Sequence, residues 1–180
     1  MKALVIIDMQ KISFTPMTSR HDAEGVIERI NLLSGQFRKN KLPVIFIQHD
    51  GSVENTCLPG TAEWELLPEL NRLPDDLVIS KMANDAFYET SLQQRLEDLG
   101  VDELVITGCA TDFCVDATVK SALTRDYQIT VVSDGHTTAN RPQITARLVV
   151  DYFNLIWSEL TPTKGKIVPM SCNDFLAGMN

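Results

Sequence analysis

The chain is poor in features that mark several common classes of protein. Its four cysteines form no Cys-x-x-Cys pair, and its three histidines are not spaced with them as zinc ligands would be. These absences disfavour a zinc module and the disulfide framework of a small secreted domain. Reduced thiols are the simplest interpretation, and they predict a cytoplasmic protein.

Long apolar runs and basic runs are also lacking. No segment is long enough to span a membrane, and the apolar run at 3–7 is shorter than the core of a signal peptide. The formal net charge of -8 disfavours binding to nucleic acid and to anionic membranes. A Gly-x-Ser-x-Gly elbow is absent, which disfavours a serine esterase. We therefore expect a small-molecule ligand, with no nucleic acid or membrane partner.

Short β-branched runs alternate with amphipathic segments along the chain. They predict strands at 3–7, 43–48, 77–79, 103–107 and 128–133, with an edge strand at 166–168. This order predicts an α/β fold: a three-layer α/β/α sandwich with a mainly parallel, Rossmann-like central sheet of about six strands. The length of 180 residues fits a single domain over 1–180.

Four helices are predicted from apolar residues at helical spacing, and residues 173–177 add a terminal turn. The second helix follows a Thr90/Gln93 capping box, and the fourth follows Pro142. The connection at 50–64 is long enough to form the wall of a site. The inward residues of the four helices are predicted to be Val26, Ile27, Ile30, Leu33 and Phe37; Leu92, Leu96 and Leu99; Val115, Val119, Ala122 and Leu123; and Ile144, Leu148, Tyr152 and Ile156.

The most informative segment is the strand–turn–helix at 104–118, whose helix begins near Cys114. Unpaired N–H groups and the helix dipole favour a negative charge at such a position. The pattern therefore predicts a lowered pKa for the Cys114 thiol and makes Cys114 a candidate nucleophile. The alternative is a buried cysteine that only packs.

Polar residues also follow two other strands of the predicted sheet. Asp8 comes after the first strand and Lys81 after the third, and ligands bind where the carboxyl ends of parallel strands meet. A thiol needs a base to take its proton, and a cation stabilises the thiolate. Asp8 would be that base and Lys81 that cation. Judged alone, Asp8 could instead cap a helix, and Lys81 could be a solvated surface lysine.

Three motifs around these residues resemble those of the isochorismatase-like cysteine hydrolases, a family that includes nicotinamidases and carbamoyl-group amidohydrolases. The resemblance covers nearly the whole chain. It implies a catalytic triad of Asp8, Lys81 and Cys114. It also implies a cis peptide bond between Cys109 and Ala110, with the N–H groups of Ala110 and Cys114 as an oxyanion hole. The motifs are Val-Ile-Ile-Asp-Met-Gln at 5–10, Lys-Met-Ala-Asn-Asp-Ala-Phe at 81–87 and Gly-Cys-Ala-Thr-Asp-Phe-Cys-Val at 108–115.

The reaction implied by the resemblance is cleavage of an amide-type C–N bond in a small molecule through a thioester acyl-enzyme. Asp8 would act in turn as base and acid. Two alternatives stay open: a metal-dependent amidase of the nicotinamidase type, and a non-catalytic ligand-binding domain of the same fold. Family members often pair, so a homo-oligomer, a dimer or larger, is also implied.

The chain departs from the nicotinamidases at the end of the second strand. Where they carry a cluster of Asp and His residues, this chain has His49 and Asp50, and the loop at 52–61 contains no further histidine. We therefore predict no metal and no other cofactor. Asp134 and His136 follow the fifth predicted strand and are expected to fix its loop by hydrogen bonds. The predicted substrate-binding residues are Gln10, Phe14, Trp64, Phe87 and Phe113, whose aromatic members could equally be packing residues.

Overall fold

A computed structural model describes residues 1–162 and 164–179. In this part of the chain the predicted apolar runs form six strands, joined mainly by α-helices, and no helix is long and apolar enough to cross a membrane. The strands are β1 (Lys2–Ile7), β2 (Val44–His49), β3 (Leu77–Lys81), β4 (Glu103–Cys109), β5 (Gln128–Thr137) and β6 (Ile167–Met170). The helices are α1 (Ala23–Lys39), α2 (Leu92–Asp98), α3 (Asp116–Leu123), α4 (Ala146–Glu159) and α5 (Cys172–Ala177).

The strands form one sheet in the order β3-β2-β1-β4-β5-β6, and all five neighbouring pairs are parallel. This is a doubly wound order, whose direction reverses between β1 and β4. Ligands of such sheets bind in the crevice at the carboxyl ends of the strands beside that reversal. The topology therefore points to the residues that follow Ile7 and Cys109.

Successive side chains of β1 point to opposite faces of the sheet, and both faces are covered. Ala3, Val5 and Ile7 pack in one apolar cluster with residues of α2, α3 and α4. Leu4 and Ile6 pack in a second cluster with residues of α1 and α5. Because both faces are buried, the strands are continuous apolar runs. The predicted three-layer α/β/α sandwich is confirmed.

The start and end of α2 differ from the prediction. Thr90 and Gln93 form no capping box: the Thr90 hydroxyl accepts from the N–H of Leu92, and the Gln93 side chain donates to Glu97. Leu99 lies beyond the helix and is exposed. A pattern of residue types cannot show that Gln93 has a competing partner one turn ahead.

Helix α4 is rotated relative to its predicted orientation. Leu148 and Tyr152 are 55% and 53% exposed, whereas Val149 and Trp157 are buried. Apolar residues lie around much of this helix, so their spacing does not select one face. Tertiary contacts decide the rotation, because the Trp157 indole donates to Asp116 Oδ1 at 3.0 Å.

Two loop predictions are also corrected. The connection between β2 and β3 runs from residue 50 to residue 76, longer than the predicted 50–64, and contains no helix. Strand β5 continues to Thr137, so Asp134 and His136 lie within it and do not follow it. The pairing of β5 with β4 changes register between Ile106 and Gly108. This irregularity explains why the apolar pattern of β5 breaks before the strand itself ends.

Close approach of two strands explains the glycine near the end of β4, directly before Cys109. Gly108 has φ of +120°, a conformation that L side chains rarely adopt. A Cβ at Gly108 would lie 2.2 Å from the carbonyl oxygen of Ile7. Only glycine therefore allows β4 to approach the end of β1 so closely.

We predict that Gly108→Ala lowers the free energy of unfolding by about 2–3 kcal/mol, because strand separation and backbone strain add. Gly35→Ala is the control: Gly35 lies on the exposed side of α1, where a new Cβ meets no atom within 4 Å. The free energy of unfolding of that control should rise by about 0.5–1 kcal/mol. Urea denaturation of the two variants measures both values, and equal effects would contradict the packing argument.

Candidate active site

The ends of β1 and β3 bring two oppositely charged side chains together inside the protein. Asp8 follows β1 with φ of 46°, a left-handed conformation that Asp adopts more readily than most residues. Its N–H donates to the carbonyl of Ile47 at 3.0 Å, which fixes it to the neighbouring strand. Lys81 is the last residue of β3 and is only 1% exposed.

The Lys81 ammonium connects the predicted site residues. Its Nζ atom lies 2.7 Å from Asp8 Oδ2, 3.3 Å from Cys114 Sγ and 2.9 Å from the carbonyl oxygen of Ala83. An ammonium has three protons to donate, so these contacts use its full capacity. Asp8 Oδ1 is buried and has no hydrogen-bond partner among the described residues.

Cys114 lies in a π-helical turn, Thr111–Val115, directly before α3. The Cys109–Ala110 peptide bond that precedes this turn is cis, as predicted. The carbonyl of Ala110 accepts from the N–H groups of Phe113 and Val115, both at 3.1 Å. The turn thus fixes the backbone on both sides of Cys114.

The electrostatics of the thiol are opposite to the prediction. Burial and the Asp8 carboxylate raise the pKa of Cys114, and the Lys81 ammonium only partly offsets them. The helix start therefore does not make a stable thiolate. Burial alone would lower the pKa of Lys81, but Asp8 and Cys114 together raise it above its ordinary value. The resting site holds an ion pair beside a neutral thiol.

A cavity of about 200 Å³ opens beside this group. Five of the predicted site residues line it: Asp8, Gln10, Ala110, Phe113 and Cys114. The sequence analysis missed the other lining residues, of which Asn84 lies inside the lysine motif and could have been found there. Those others are Ile12, Ser13, His49, Cys57, Asn84 and Cys109.

The Gln10 side chain is used by the protein itself. Its Nε2 donates to the carbonyls of His49 and Trp64, and its Oε1 accepts from the N–H of His49. Gln10 therefore holds the end of β2 against the long connection that follows it. Its position in the cavity wall shapes the cavity, while its polar atoms are already satisfied.

Three predicted substrate-binding aromatics lie outside this cavity. Trp64 lines a separate depression with Gln48. Phe14 lines another surface depression beside Arg20. Phe87 is buried and stacks on Tyr127, with ring centroids 5.9 Å apart.

His49 and Asp50 do not form part of a metal-ligand cluster. His49 Nε2 lies 3.8 Å from Glu54 Oε2, and the Asp50 carboxylate accepts from the N–H and hydroxyl of Ser52. Within residues 1–162 and 164–179, no three His, Cys, Asp or Glu side chains are grouped closely enough to hold a metal ion. The cysteines are free thiols.

His136 connects α4 to the turn that carries Cys114. Its Nδ1 lies 2.9 Å from the Thr111 hydroxyl, and its Nε2 lies 3.1 Å from Asn154 Oδ1. Because the Asn154 amide donates to the carbonyl of Ser133, its Oδ1 must accept, and His136 carries its proton on Nε2. Burial lowers the pKa of His136 to about 4, so the ring is neutral near pH 7.

Asp134, two residues before His136 in β5, fixes the same part of the strand to other elements. Its carboxylate accepts from the N–H of Cys172 at 2.8 Å and lies 3.8 Å from the Arg29 guanidinium. Asp134 therefore ties β5 to α1 and α5, on the opposite face of the sheet from α4.

Comparison with known proteins identifies the family. Residues 2–152 match the model of the isochorismatase domain. The chain is 33% identical to the uncharacterized isochorismatase family protein YddQ of Bacillus subtilis strain 168 over 136 residues, 73% of this chain and 75% of YddQ. It is 30% identical to a streptothricin hydrolase of Streptomyces noursei over 141 residues, 78% of this chain and 56% of that protein.

A solved structure gives the same result. An isochorismatase from Pseudomonas putida KT2440 superposes with a TM-score of 0.82 at 25% identity, covering 93% of this chain and 87% of that one. The chain spans only about half the length of the two streptothricin hydrolases that it matches. The family match covers most of the chain, including both strands beside the reversal of strand order. The chain therefore belongs to the isochorismatase family.

Proposed function

We propose that the protein is a hydrolase that cleaves an amide-type C–N bond of a small molecule, with Cys114 as the nucleophile. The observation that carries the proposal is the Lys81 ammonium, which contacts both Asp8 and the Cys114 sulfur at the carboxyl ends of the strands. The similarity to a streptothricin hydrolase supports a hydrolytic reaction of this class.

The first half of the reaction transfers the acyl group to sulfur. Asp8 takes the thiol proton as Cys114 Sγ attacks the carbonyl carbon, and the C–S bond forms while negative charge moves to the carbonyl oxygen. The N–H groups of Ala110 and Cys114 hold that oxygen. The C–N bond then breaks, Asp8 returns its proton to the leaving nitrogen, and a thioester remains.

The second half releases the acid. Asp8, ionised again, takes a proton from a water molecule, whose oxygen attacks the thioester carbonyl. The C–S bond breaks, the sulfur leaves as thiolate and recovers a proton from Asp8, and the product is a carboxylic acid. Lys81 stabilises the negative charge that Asp8 and Cys114 carry in turn. The net reaction is amide plus water to acid plus amine.

We predict that Cys114→Ala lowers kcat/KM by at least about a thousandfold for any small amide that the parent hydrolyses, because the sulfur that Lys81 contacts is removed. Ammonia release across a panel of primary amides measures this loss. Cys172→Ala is the control, since that thiol lies in α5 outside the cavity. Parent-like turnover by Cys114→Ala would contradict covalent catalysis. If the parent itself hydrolyses no amide, the alternative of a non-catalytic binding domain is left.

We predict that Asp8→Asn has opposite effects on turnover and on thiol reactivity. Turnover is lost because the base is gone. The Cys114 pKa falls, because the negative charge that raised it is removed while Lys81 remains. Alkylation by iodoacetamide at pH 7.5 should therefore become at least about tenfold faster. Alkylation that is no faster than in the parent would contradict the assigned electrostatics. Asp134→Asn is the control: Asp134 lies on the far face of the sheet, so its substitution should change neither turnover nor alkylation.

A further inference from the structure

The proposed function leaves open what kind of amide the cavity accepts, and the walls of the cavity bear on that question. A cavity of about 200 Å³ is only somewhat larger than an engineered protein cavity of about 150 Å³ that binds benzene. The cavity therefore has room for a group of about one substituted ring beside Cys114, and it is open to solvent. Ile12 and the half-exposed ring of Phe113 supply apolar surface beside it.

The described lining of the cavity offers no permanent cation to a negatively charged substrate. Among the described residues its lining contains no arginine and no lysine, and its charged side chain Asp8 is already negative. Lys81, behind Asp8, has all three donors engaged. A carboxylate entering this cavity would lose its hydration and lie near Asp8 without a cation to pair with.

The nearest guanidinium groups are also engaged elsewhere. Arg141 makes a two-pronged contact with the Asp112 carboxylate, at 2.9 and 3.1 Å, and its charge lies over the Phe113 ring, 4.9 Å from the centroid. Arg20 donates to the carbonyl of Ser13 at 2.5 Å. Neither arginine lines the cavity.

Asn84 lies at the exposed rim of the cavity, beside the nucleophile. The Cys114 thiol donates to its Oδ1 at 3.5 Å, and its amide nitrogen makes no hydrogen bond with the described residues. Hydrogen bonds fix the residues on either side of Asn84. The Ala83 carbonyl accepts from the Lys81 ammonium, and the Asp85 carboxylate accepts from the N–H of Phe87 and the hydroxyl of Ser121. Asn84 is thus a neutral donor held beside the nucleophile.

We propose that Asn84 is the specificity-determining residue that restricts this site to uncharged amides. Its amide nitrogen donates to a neutral acceptor of the substrate, and its lack of charge excludes amides that carry a carboxylate. This inference rests on the proposed hydrolase function and narrows its substrate class. It predicts that a single positive charge at this position changes the selectivity.

The test uses pairs of amides that match in shape and differ in charge: succinamide with succinamate, and isophthalamide with 3-carbamoylbenzoate. Ammonia release by the full chain gives kcat/KM for each. For a pair that is turned over, the parent should favour the uncharged member by at least about a hundredfold. Asn84→Lys should reduce that preference at least about tenfold, because its ammonium pairs with the carboxylate.

Met82→Lys is the matched control. Met82 lies two residues from Asn84 on the same segment, but it is exposed and lines a different depression. Met82→Lys adds the same charge outside the cavity, so its preference for the uncharged amide over the charged one should equal that of the parent. Circular dichroism checks that both variants are folded.

The outcomes separate the two claims. If the parent releases ammonia from no amide of the pairs or of a wider panel, charged or uncharged, the proposed function fails. If it hydrolyses the charged and uncharged members alike, or other amides but neither uncharged member, the function stands and the assignment of the substrate class is wrong. An unchanged preference in Asn84→Lys, or the same shift in Met82→Lys, also overturns the role of Asn84.

Discussion

The buried ion pair between Asp8 and Lys81 is the interaction on which the site depends. Removing one partner of such a pair leaves an uncompensated charge in the interior, at a cost of about 3–5 kcal/mol. The two residues come from β1 and β3, which are separated by β2, so their contact requires the three strands to end at the same level. The parallel sheet thus brings the two charges into contact.

The same ion pair explains why the nucleophile is protonated at rest. A lone ammonium beside a thiol would lower its pKa, but here Asp8 opposes Lys81 and burial disfavours the thiolate further. The positive field of Lys81 becomes available to sulfur only as the proton moves to Asp8. In the proposed mechanism, proton transfer and nucleophilic attack are therefore coupled. Such a thiol is also protected from adventitious oxidation, which follows thiolate character.

The sheet could be predicted from the sequence because its strands are continuous apolar runs, and the convergence of Asp8, Lys81 and Cys114 could be predicted because each follows such a run. The sequence predicted poorly what depends on rotation and on competing partners. The face of α4 that packs on the sheet depends on tertiary contacts, among them the Trp157–Asp116 hydrogen bond. The predicted direction of the Cys114 pKa shift was wrong, because a sequence shows the start of a helix but not the burial of the thiol or its distance to Asp8. Asn84 could have been found from its place in the lysine motif, but its distance from Cys114 Sγ depends on the fold.

The central claim is that an acyl group is carried on Cys114. The most direct measurement is mass spectrometry of the protein after acid quench during steady turnover of an amide substrate, followed by peptide mapping. The account predicts a mass increase equal to the substrate's acyl group minus one hydrogen, located on the peptide that contains Cys114 and removed by hydroxylamine. Amide hydrolysis that leaves this peptide unmodified at every quench time, or an adduct on Cys57 or Cys109 instead, would contradict it.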